Sequence, residues 1–235
     1  MDNLSTLWLI PARGGSKGIP RKNIKPFCGE SLVARSVKQA LECASKNDTV
    51  LVSTDDEEIK REAEKAGIEV PFIRPDELAS DQASSYSVML HSIEELKKRG
   101  KTFQRMVLLQ PTSPLRKIED IRGAVNLWDK ELDMVVSVCE SKVNPYFNAF
   151  ETDESGYLKL SKGNGEFSRR QDAPKVWEYN GAVYVITIDS LLKEPLSKFK
   201  KTKPFIMPAS RSVDLDSEED WLIAEFLYRR MNECK

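Results

Sequence analysis

Apolar residues along this chain follow two alternating rhythms. The runs at 7–10, 49–52, 105–109 and 133–138 are short and continuous, as in strands buried within a sheet. Between them, apolar positions recur every three or four residues. Leu32, Val33, Val37, Ala40, Leu41 and Ala44 form one helical face within 31–44. Ile59, Ala63 and Ala66 form another within 56–66, entered through Ser53-Thr54-Asp55 and stopped by Gly67. Helices are also predicted over 84–99, ended by Gly100, and over 117–128, where Ile118, Ile121, Val125 and Trp128 share one side. An extended run at 68–73 contains Pro71, which confines it to a sheet edge or an irregular strand. The order β-α-β-α-β-α-β-α-β predicts an α/β fold, a mostly parallel sheet with helices on both faces.

The rhythm breaks over 140–177. Asn144-Pro145-Tyr146-Phe147, Gly156-Tyr157-Leu158 and Gly163-Asn164-Gly165 predict irregular, hairpin-like structure projecting from the sheet. Its aromatics, Tyr146, Phe147, Phe150, Tyr157 and Phe167, exceed what a thin excursion buries alone. An interface is therefore expected there, with a small local core as the alternative. Strands return at 181–187 and 204–207. Residues 217–231 close the chain as an amphipathic helix, with Leu222, Phe226 and Trp221 inward and Arg229-Arg230 near its negative end.

Composition narrows the class. The 235 residues allow one large domain, or a domain with an appendage, and 40% apolar residues suffice for its core. With 36 basic against 37 acidic residues the net charge is -1, which argues against nucleic acid as partner. Cys28, Cys43, Cys139 and Cys234 are scattered, without metal spacing, which suits a reducing cytoplasm. The first residues lack a basic segment and a signal core, and no apolar run approaches the roughly 20 residues of a bilayer span.

The chemistry is expected where the first strand ends. Ile10-Pro11-Ala12-Arg13-Gly14-Gly15-Ser16-Lys17-Gly18-Ile19-Pro20-Arg21-Lys22-Asn23 is a glycine-rich loop with four cations, Arg13, Lys17, Arg21 and Lys22. Successive free N–H groups in such a loop make an anion-binding concavity, and the cations suit a triphosphate. The spacing is neither a Walker A motif nor Gly-x-Gly-x-x-Gly. Ligands of such sheets sit beyond the carboxyl ends of the strands, where this loop lies.

Other candidates follow other elements. Gln110, in Leu109-Gln110-Pro111-Thr112-Ser113-Pro114-Leu115-Arg116, follows the 105–109 strand and offers donor and acceptor groups, or belongs to an ordinary turn. Arg74, upstream of Ala83-Ser84-Ser85, could read the edge of a base, or pair with Asp76 or Asp81. Asp214 and Asp216, spaced i, i+2, put two hard oxygen ligands on one side of an extended segment, which suits Mg²⁺ with phosphate oxygens. The same spacing also arises by chance among 37 acids. Asp55-Asp56 reads as a helix cap, and His91, the sole histidine, falls on a helix away from these positions.

The loop resembles the signature of the acylneuraminate cytidylyltransferases, the CMP-sialic acid synthetases. Later stretches are similar to that family in the same order: Arg74-Pro-x-Glu-Leu-Ala-Ser-Asp-x-Ala-Ser-Ser85, Leu109-Gln-Pro-Thr-Ser-Pro-Leu-Arg116, Arg170-Gln-x-x-Pro, Asn180-Gly-Ala-x-Tyr184 and Asp214-x-Asp216. The resemblance spans about residues 7–220. It implies a Rossmann-like nucleotidyltransferase of one domain, 1–235, with 140–177 as a protruding dimerisation segment of a homodimer. It implies that CTP and a nonulosonic acid give the CMP-sugar and pyrophosphate. Ala12, Arg13, Gly15, Ser16, Lys22 and Asn23 would surround the phosphates, with Arg74, Ala83 and Ser85 around cytosine and ribose. Gln110, Arg170, Asn180 and Tyr184 would face the sugar acid, and Asp214 and Asp216 would bind Mg²⁺. Arg13, Lys22, Asp214 and Asp216 would carry the catalysis. Phe147 and Glu178 depart from the N-acetylneuraminate members, where a lysine and an arginine are common. A variant acid, for example the deaminated form, is therefore expected to serve at least as well. Rival readings are transfer to another ulosonic acid, a nucleotide-sugar glycosyltransferase using Asp-x-Asp, or a nucleotide-sugar-binding protein without catalysis.

Overall fold

The first apolar run becomes β1 (Thr6–Pro11), whose side chains divide between two cores. Trp8 and Ile10 lie in one and Leu7 and Leu9 in the other, none more than 2% exposed. A period of two buried on both sides marks a central strand between helical layers. The computed structural model describes residues 4–80 and 82–233; the first three residues, Asp81, Cys234 and Lys235 lie outside the described residues.

Two short strands, β2 (Pro26–Phe27) and β3 (Glu30–Ser31), form a tight hairpin before α1 (Leu32–Cys43). Ser31 caps α1, accepting from Ala34 N–H at 3.3 Å. Then come β4 (Thr49–Ser53), α2 (Glu57–Lys65), α3 (Ser85–Lys98), β5 (Arg105–Leu109), α4 (Ile118–Leu127) and β6 (Met134–Glu140). The excursion carries a small hairpin, β7 (Phe150–Thr152) with β8 (Leu158–Leu160). The chain returns as β9 (Trp177–Thr187), α5 (Ile188–Leu191), β10 (Thr202–Ile206) and α6 (Glu218–Glu233).

The main sheet has six strands in the order β10-β6-β9-β5-β1-β4. All pair in parallel except β9, which runs antiparallel to both β5 and β6. Val33, Val37 and Ala40 of α1, Ile59 and Ala63 of α2, and Ile121 and Ala124 of α4 cover one face with Trp8 and Ile10. Met89 and Leu96 of α3 and Ile188 and Leu191 of α5 cover the other. Full burial of each large aliphatic side chain stabilises by about 1.5–3 kcal/mol. From β1 the chain steps outward to β4, then crosses back to β5 on the other side of β1. That reversal leaves a crevice beyond the carboxyl ends of β1 and β5.

Two expectations need correction. Residues 68–73 form no strand. Pro71 has no N–H to give a ladder, and the stretch covers the sheet instead, with Val70 in one core and Phe72 against the other. The closing helix is rotated from its expected phase. Leu222 and Phe226 are 66% and 63% exposed, while Trp221 and Ala224 are buried beside Ile19, Phe27, Leu32, Leu115 and Leu215. Trp221 and Phe27 meet edge to face at 5.4 Å, a contact that fixes the helix phase.

In the excursion, Tyr146 and Phe167 pack edge to face at 6.5 Å, whereas Phe150, Tyr157 and Leu158 are exposed. No helix among the described residues is long and apolar enough to cross a membrane.

Candidate active site

Beyond Pro11 the chain enters the glycine loop. Asn23, buried at its far end, donates from its side-chain amide to the Arg13 carbonyl at 2.9 Å. Its own carbonyl accepts from Val33 N–H at 3.0 Å, so the loop is closed on itself and pinned to α1. A Cβ on Gly18 would collide with the Asp216 carbonyl. The loop and the 214–216 segment therefore touch main chain to main chain. Lys22 bridges the same junction: its ammonium donates to the Leu215 carbonyl and stands 3.6 Å from the Asp216 carboxylate. Leu215 N–H in turn donates to the Thr112 carbonyl at 2.9 Å, which ties this segment to the loop after β5.

Arg13, Ser16, Lys17, Lys22 and Asn23 line a cleft of about 440 Å³ beyond β1 and β5. Arg74, Ala83, Ser85, Gln110, Thr112 and Asp216 also line it. Ser84 caps α3, accepting from Ser87 N–H at 3.0 Å, so the positive end of α3 faces the cleft with Ala83 and Ser85. Arg21 is diverted: with a left-handed φ of 57° it turns to Asp56, at 2.6 Å, and to Glu58.

Arg74 is 4% exposed and does not pair with Asp76, while Asp81, the other acid expected for it, lies outside the described residues. It donates to Asp55 at 3.1 Å, and its Nε is buried without a hydrogen-bond partner. Burial lowers its pKa and Asp55 opposes the fall. Asp56 caps α2, accepting from Glu58 and Ile59 N–H groups at 2.7 and 3.1 Å. Asp55 has a different role from the cap the sequence predicts, because it also accepts from Gly14 N–H at 3.1 Å.

Asp214 is largely buried, and one of its carboxylate oxygens has no hydrogen-bond partner. Burial pushes its pKa up, with nearby Asp216 adding to the rise and the Thr112 hydroxyl opposing it. The Tyr184 hydroxyl is pushed up to about 12, by burial first and then by Asp214. Gly181, at a φ of 73°, completes this end of the site. A Cβ there would stand 2.6 Å from Gln110 Oε1 and 3.5 Å from Asp214 Oδ2. Gln110, Gly181, Tyr184 and Asp214 thus share one neighbourhood.

Six of the expected site residues do not line the cleft, Tyr184 and Asp214 among them. Ala12 is wholly buried and donates to the Ser53 carbonyl at 3.0 Å. Gly15, three residues on, is exposed. Asn180 is buried and engaged: Ser137 Oγ donates to its carbonyl oxygen at 2.6 Å, and its amide donates to Ser212 Oγ at 2.8 Å. Arg170 sits on the excursion and donates to the Ser141 carbonyl at 2.6 Å. Glu178 accepts from Ser141 Oγ at 2.9 Å. His91 stacks edge to face on Phe72 at 5.6 Å and does not line the cleft.

Sequence reasoning passed over Asp55 and Arg116. Arg116 is 2% exposed and donates to Gln39 Oε1 at 2.9 Å, Ser36 Oγ at 2.7 Å, the Ala182 carbonyl at 3.3 Å and the Gln110 carbonyl. It staples the Gln110 loop to α1 and β9. Burial brings its pKa down to about 9. The signal for Asp55 was its place at the carboxyl end of β4, one strand from the loop.

Residues 7–205 match the family model described as cytidylyltransferase. Over 232 residues the chain is 36% identical to post-translational flagellin modification protein B of Campylobacter coli, covering 96% of each. Over 226 residues it is 32% identical to pseudaminic acid cytidylyltransferase of Campylobacter jejuni, covering 96% of this chain and 97% of that one. A CMP-N,N'-diacetyllegionaminic acid synthase of Campylobacter jejuni is 34% identical over 228 residues, covering 96% of each. Among solved structures, CMP:2-keto-3-deoxy-manno-octonic acid synthetase complexed with CTP superposes with a TM-score of 0.68 over 97% of this chain and 99% of that one. At 15% identity that likeness is one of fold.

Proposed function

Because the chain belongs to the cytidylyltransferase family, we propose that it transfers CMP from CTP to the anomeric hydroxyl of a nonulosonic acid, with release of pyrophosphate. The observation that carries this reading is the junction of the glycine loop with the Asp214-x-Asp216 segment. It sets Lys22 beside Asp216 in a cleft whose wall includes Arg74.

In this reading Arg13, Ser16, Lys22 and Asn23 hold the triphosphate. Arg74, Ala83 and Ser85 receive cytosine and ribose, where the buried, unpartnered Arg74 Nε awaits an acceptor. The attacking hydroxyl approaches the α-phosphorus in line. Lys22 and Arg13 stabilise charge gathering on the phosphoryl oxygens and the leaving pyrophosphate. Gln110 and Tyr184 orient the sugar acid. Tyr184, with its pKa near 12, does so as a neutral hydroxyl rather than as a base. Among the described residues no group of three or more His, Cys, Asp or Glu could hold a metal ion. The unpartnered oxygen of buried Asp214 and the exposed Asp216 nevertheless fit Mg²⁺, which commonly takes one or two protein carboxylates plus phosphate oxygens. Asp214 and Asp216 would hold Mg²⁺ there, and it would supply Lewis-acid neutralisation of the phosphates and a lowered pKa for the attacking hydroxyl.

The excursion would pair two copies, and the exposed Phe150, Tyr157 and Leu158 support that. A homodimer would account for Arg170 standing outside its own chain's cleft, since the excursion reaches toward the partner. The support for a variant nonulosonic acid over N-acetylneuraminate is Glu178 and Phe147, since relatives of similar identity are named for pseudaminic, diacetyllegionaminic and N-acylneuraminic acids alike.

Pyrophosphate release is the test, with CTP, UTP, ATP or GTP against pseudaminic, legionaminic, N-acetylneuraminic and deaminated neuraminic acids and an eight-carbon ulosonic acid. Turnover with CTP and a nine-carbon acid is expected. Equal turnover with UTP, or turnover with the eight-carbon acid alone, overturns the assignment.

A further inference from the structure

We infer that Asp55 is a positioning residue that sets the distance between the base end and the phosphate end of the nucleotide site. The inference rests on the reading of the cleft as a CTP site. One carboxylate oxygen of Asp55 accepts two hydrogen bonds, each 3.1 Å long. One comes from the Gly14 N–H in the phosphate loop and the other from the Arg74 guanidinium. Gly14 and Arg74 lie on separate segments, 41 and 19 positions from Asp55. Asp55 does not line the cleft and stands behind its wall, with a side chain 17% exposed. It therefore acts on a ligand only through the two groups it holds.

The two bonds have distinct consequences. The bond to Gly14 fixes where the loop's main chain begins its turn, and so where its N–H groups point. The bond to Arg74 engages one terminal nitrogen of the guanidinium, while Nε is buried without a partner. A buried donor without a partner is unfavourable until an acceptor arrives, so the site is prepared for an acceptor that cytosine has and uracil lacks, the N3 lone pair. Arg13 and Arg74 also repel one another, and burial disfavours the charge on Arg74. Asp55 is the anion that opposes both effects and keeps two cations side by side. Because both bonds end on one atom, displacement of the loop displaces Arg74 with it. A nucleotide must then match the phosphate-to-base spacing, and its base must present an acceptor at the place Arg74 occupies.

The test is CTP and UTP binding by calorimetry, without sugar acid, to the wild-type chain and to Asp55→Ala, Asp55→Ser and Asp55→Asn. Alanine cannot accept, and the serine hydroxyl is too short to reach both donors. Both are expected to weaken CTP at least tenfold and to bring the CTP-to-UTP ratio toward one. Asparagine keeps the acceptor oxygen but loses the charge that offsets Arg13 and Arg74, and is expected to bind CTP more weakly than wild type but more tightly than the alanine variant. In turnover, the KM for CTP should rise in the alanine and serine variants while the KM for the sugar acid stays unchanged. Should the alanine variant not fold, the serine variant decides. Wild-type binding of CTP with unchanged affinity and selectivity in the serine variant overturns the role of Asp55 alone. So does an equal rise in both KM values, which marks a general structural defect. A wild-type chain that binds no CTP overturns the reading of the cleft itself.

Discussion

The Lys22 ammonium donates to the main-chain carbonyl of Leu215, which lies 193 positions further along the chain. The contact joins the first loop of the sheet to the segment before the last helix, and its neighbour Asp216 stands 3.6 Å from the same ammonium. Lys22 thus rests on the segment that carries the two carboxylates. A bound triphosphate would give the ammonium a stronger partner.

For Lys22→Ala, kcat should fall about 100-fold or more with CTP binding much less affected, as expected of a cation matched to charge that develops during transfer. Steady-state kinetics alongside direct CTP titration separates the two quantities. A normal kcat with only a raised KM for CTP would make Lys22 a binding residue.

Gly18→Ala should impair the site without unfolding the sheet. Its Cβ would enter the space of the Asp216 carbonyl, and a main-chain neighbour cannot rotate away as a side chain can. The loop must then separate from the 214–216 segment, which removes Lys22 from Leu215. The expected result is a drop in kcat/KM of at least tenfold, with a stability loss of about 1–3 kcal/mol. Wild-type kinetics in this variant would show that the junction opens freely during turnover.

The glycine loop and Gln110 were legible because each is a local signature at a strand end, and the crevice geometry gathers strand ends, whereas Asp214 and Asp216 lie well past β10 and offered only their spacing. Asp55 was not legible, since its role exists only through Gly14 and Arg74, and its place before α2 reads equally well as a cap. Arg116 resembles any basic loop residue until four distant acceptors enclose it. The phase of α6 was misread because both of its faces carry apolar residues. Leu222, Ile223 and Phe226 compete with Trp221 and Ala224, and only the position of Phe27 decides between them.

If the excursion pairs two copies as proposed, Leu158→Glu should leave the chain monomeric. Leu158 is 73% exposed on β8, beside the 74% exposed Tyr157, and a charge at a buried contact would be left unpaired. Sedimentation at micromolar concentration is expected to show a dimer for the wild type and a monomer for the variant. A wild-type monomer would remove the dimer proposal and leave the Tyr146–Phe167 cluster as the segment's own small core.

Asp133→Ala should lose stability in a pH-dependent way. Asp133 accepts from Lys201 N–H at 2.8 Å, Ser190 Oγ at 2.7 Å and Lys200 N–H at 3.1 Å, tying the start of β6 to α5 and β10. These bonds, led by Lys201 N–H, hold its carboxyl below the ordinary value of 3.8. A depressed carboxyl stabilises the fold fully above its unfolded-state value and loses that contribution as pH falls through the folded one. At pH 7 the variant should be less stable by about 1 kcal/mol. The difference between wild type and variant should shrink below pH 3.8, within the acid limb of the unfolding curve. A pH-independent difference would mean that the lost contacts do not depend on the charge.

Arg116→Met should be the most destabilising of these changes. Methionine fills much of the volume but leaves the Gln110 and Ala182 carbonyls, Gln39 and Ser36 without their donor. Each buried acceptor left unpaired costs about 1–3 kcal/mol, so a loss of about 3 kcal/mol or more is expected in denaturant unfolding, with an unchanged slope. Arg116→Lys should recover little, because a single ammonium cannot reach four acceptors that a planar fork serves. The same change frees the Gln110 carbonyl, so the KM for the sugar acid should rise more than the KM for CTP. A loss below about 1 kcal/mol in both variants would show that water takes over these acceptors and that the staple is dispensable.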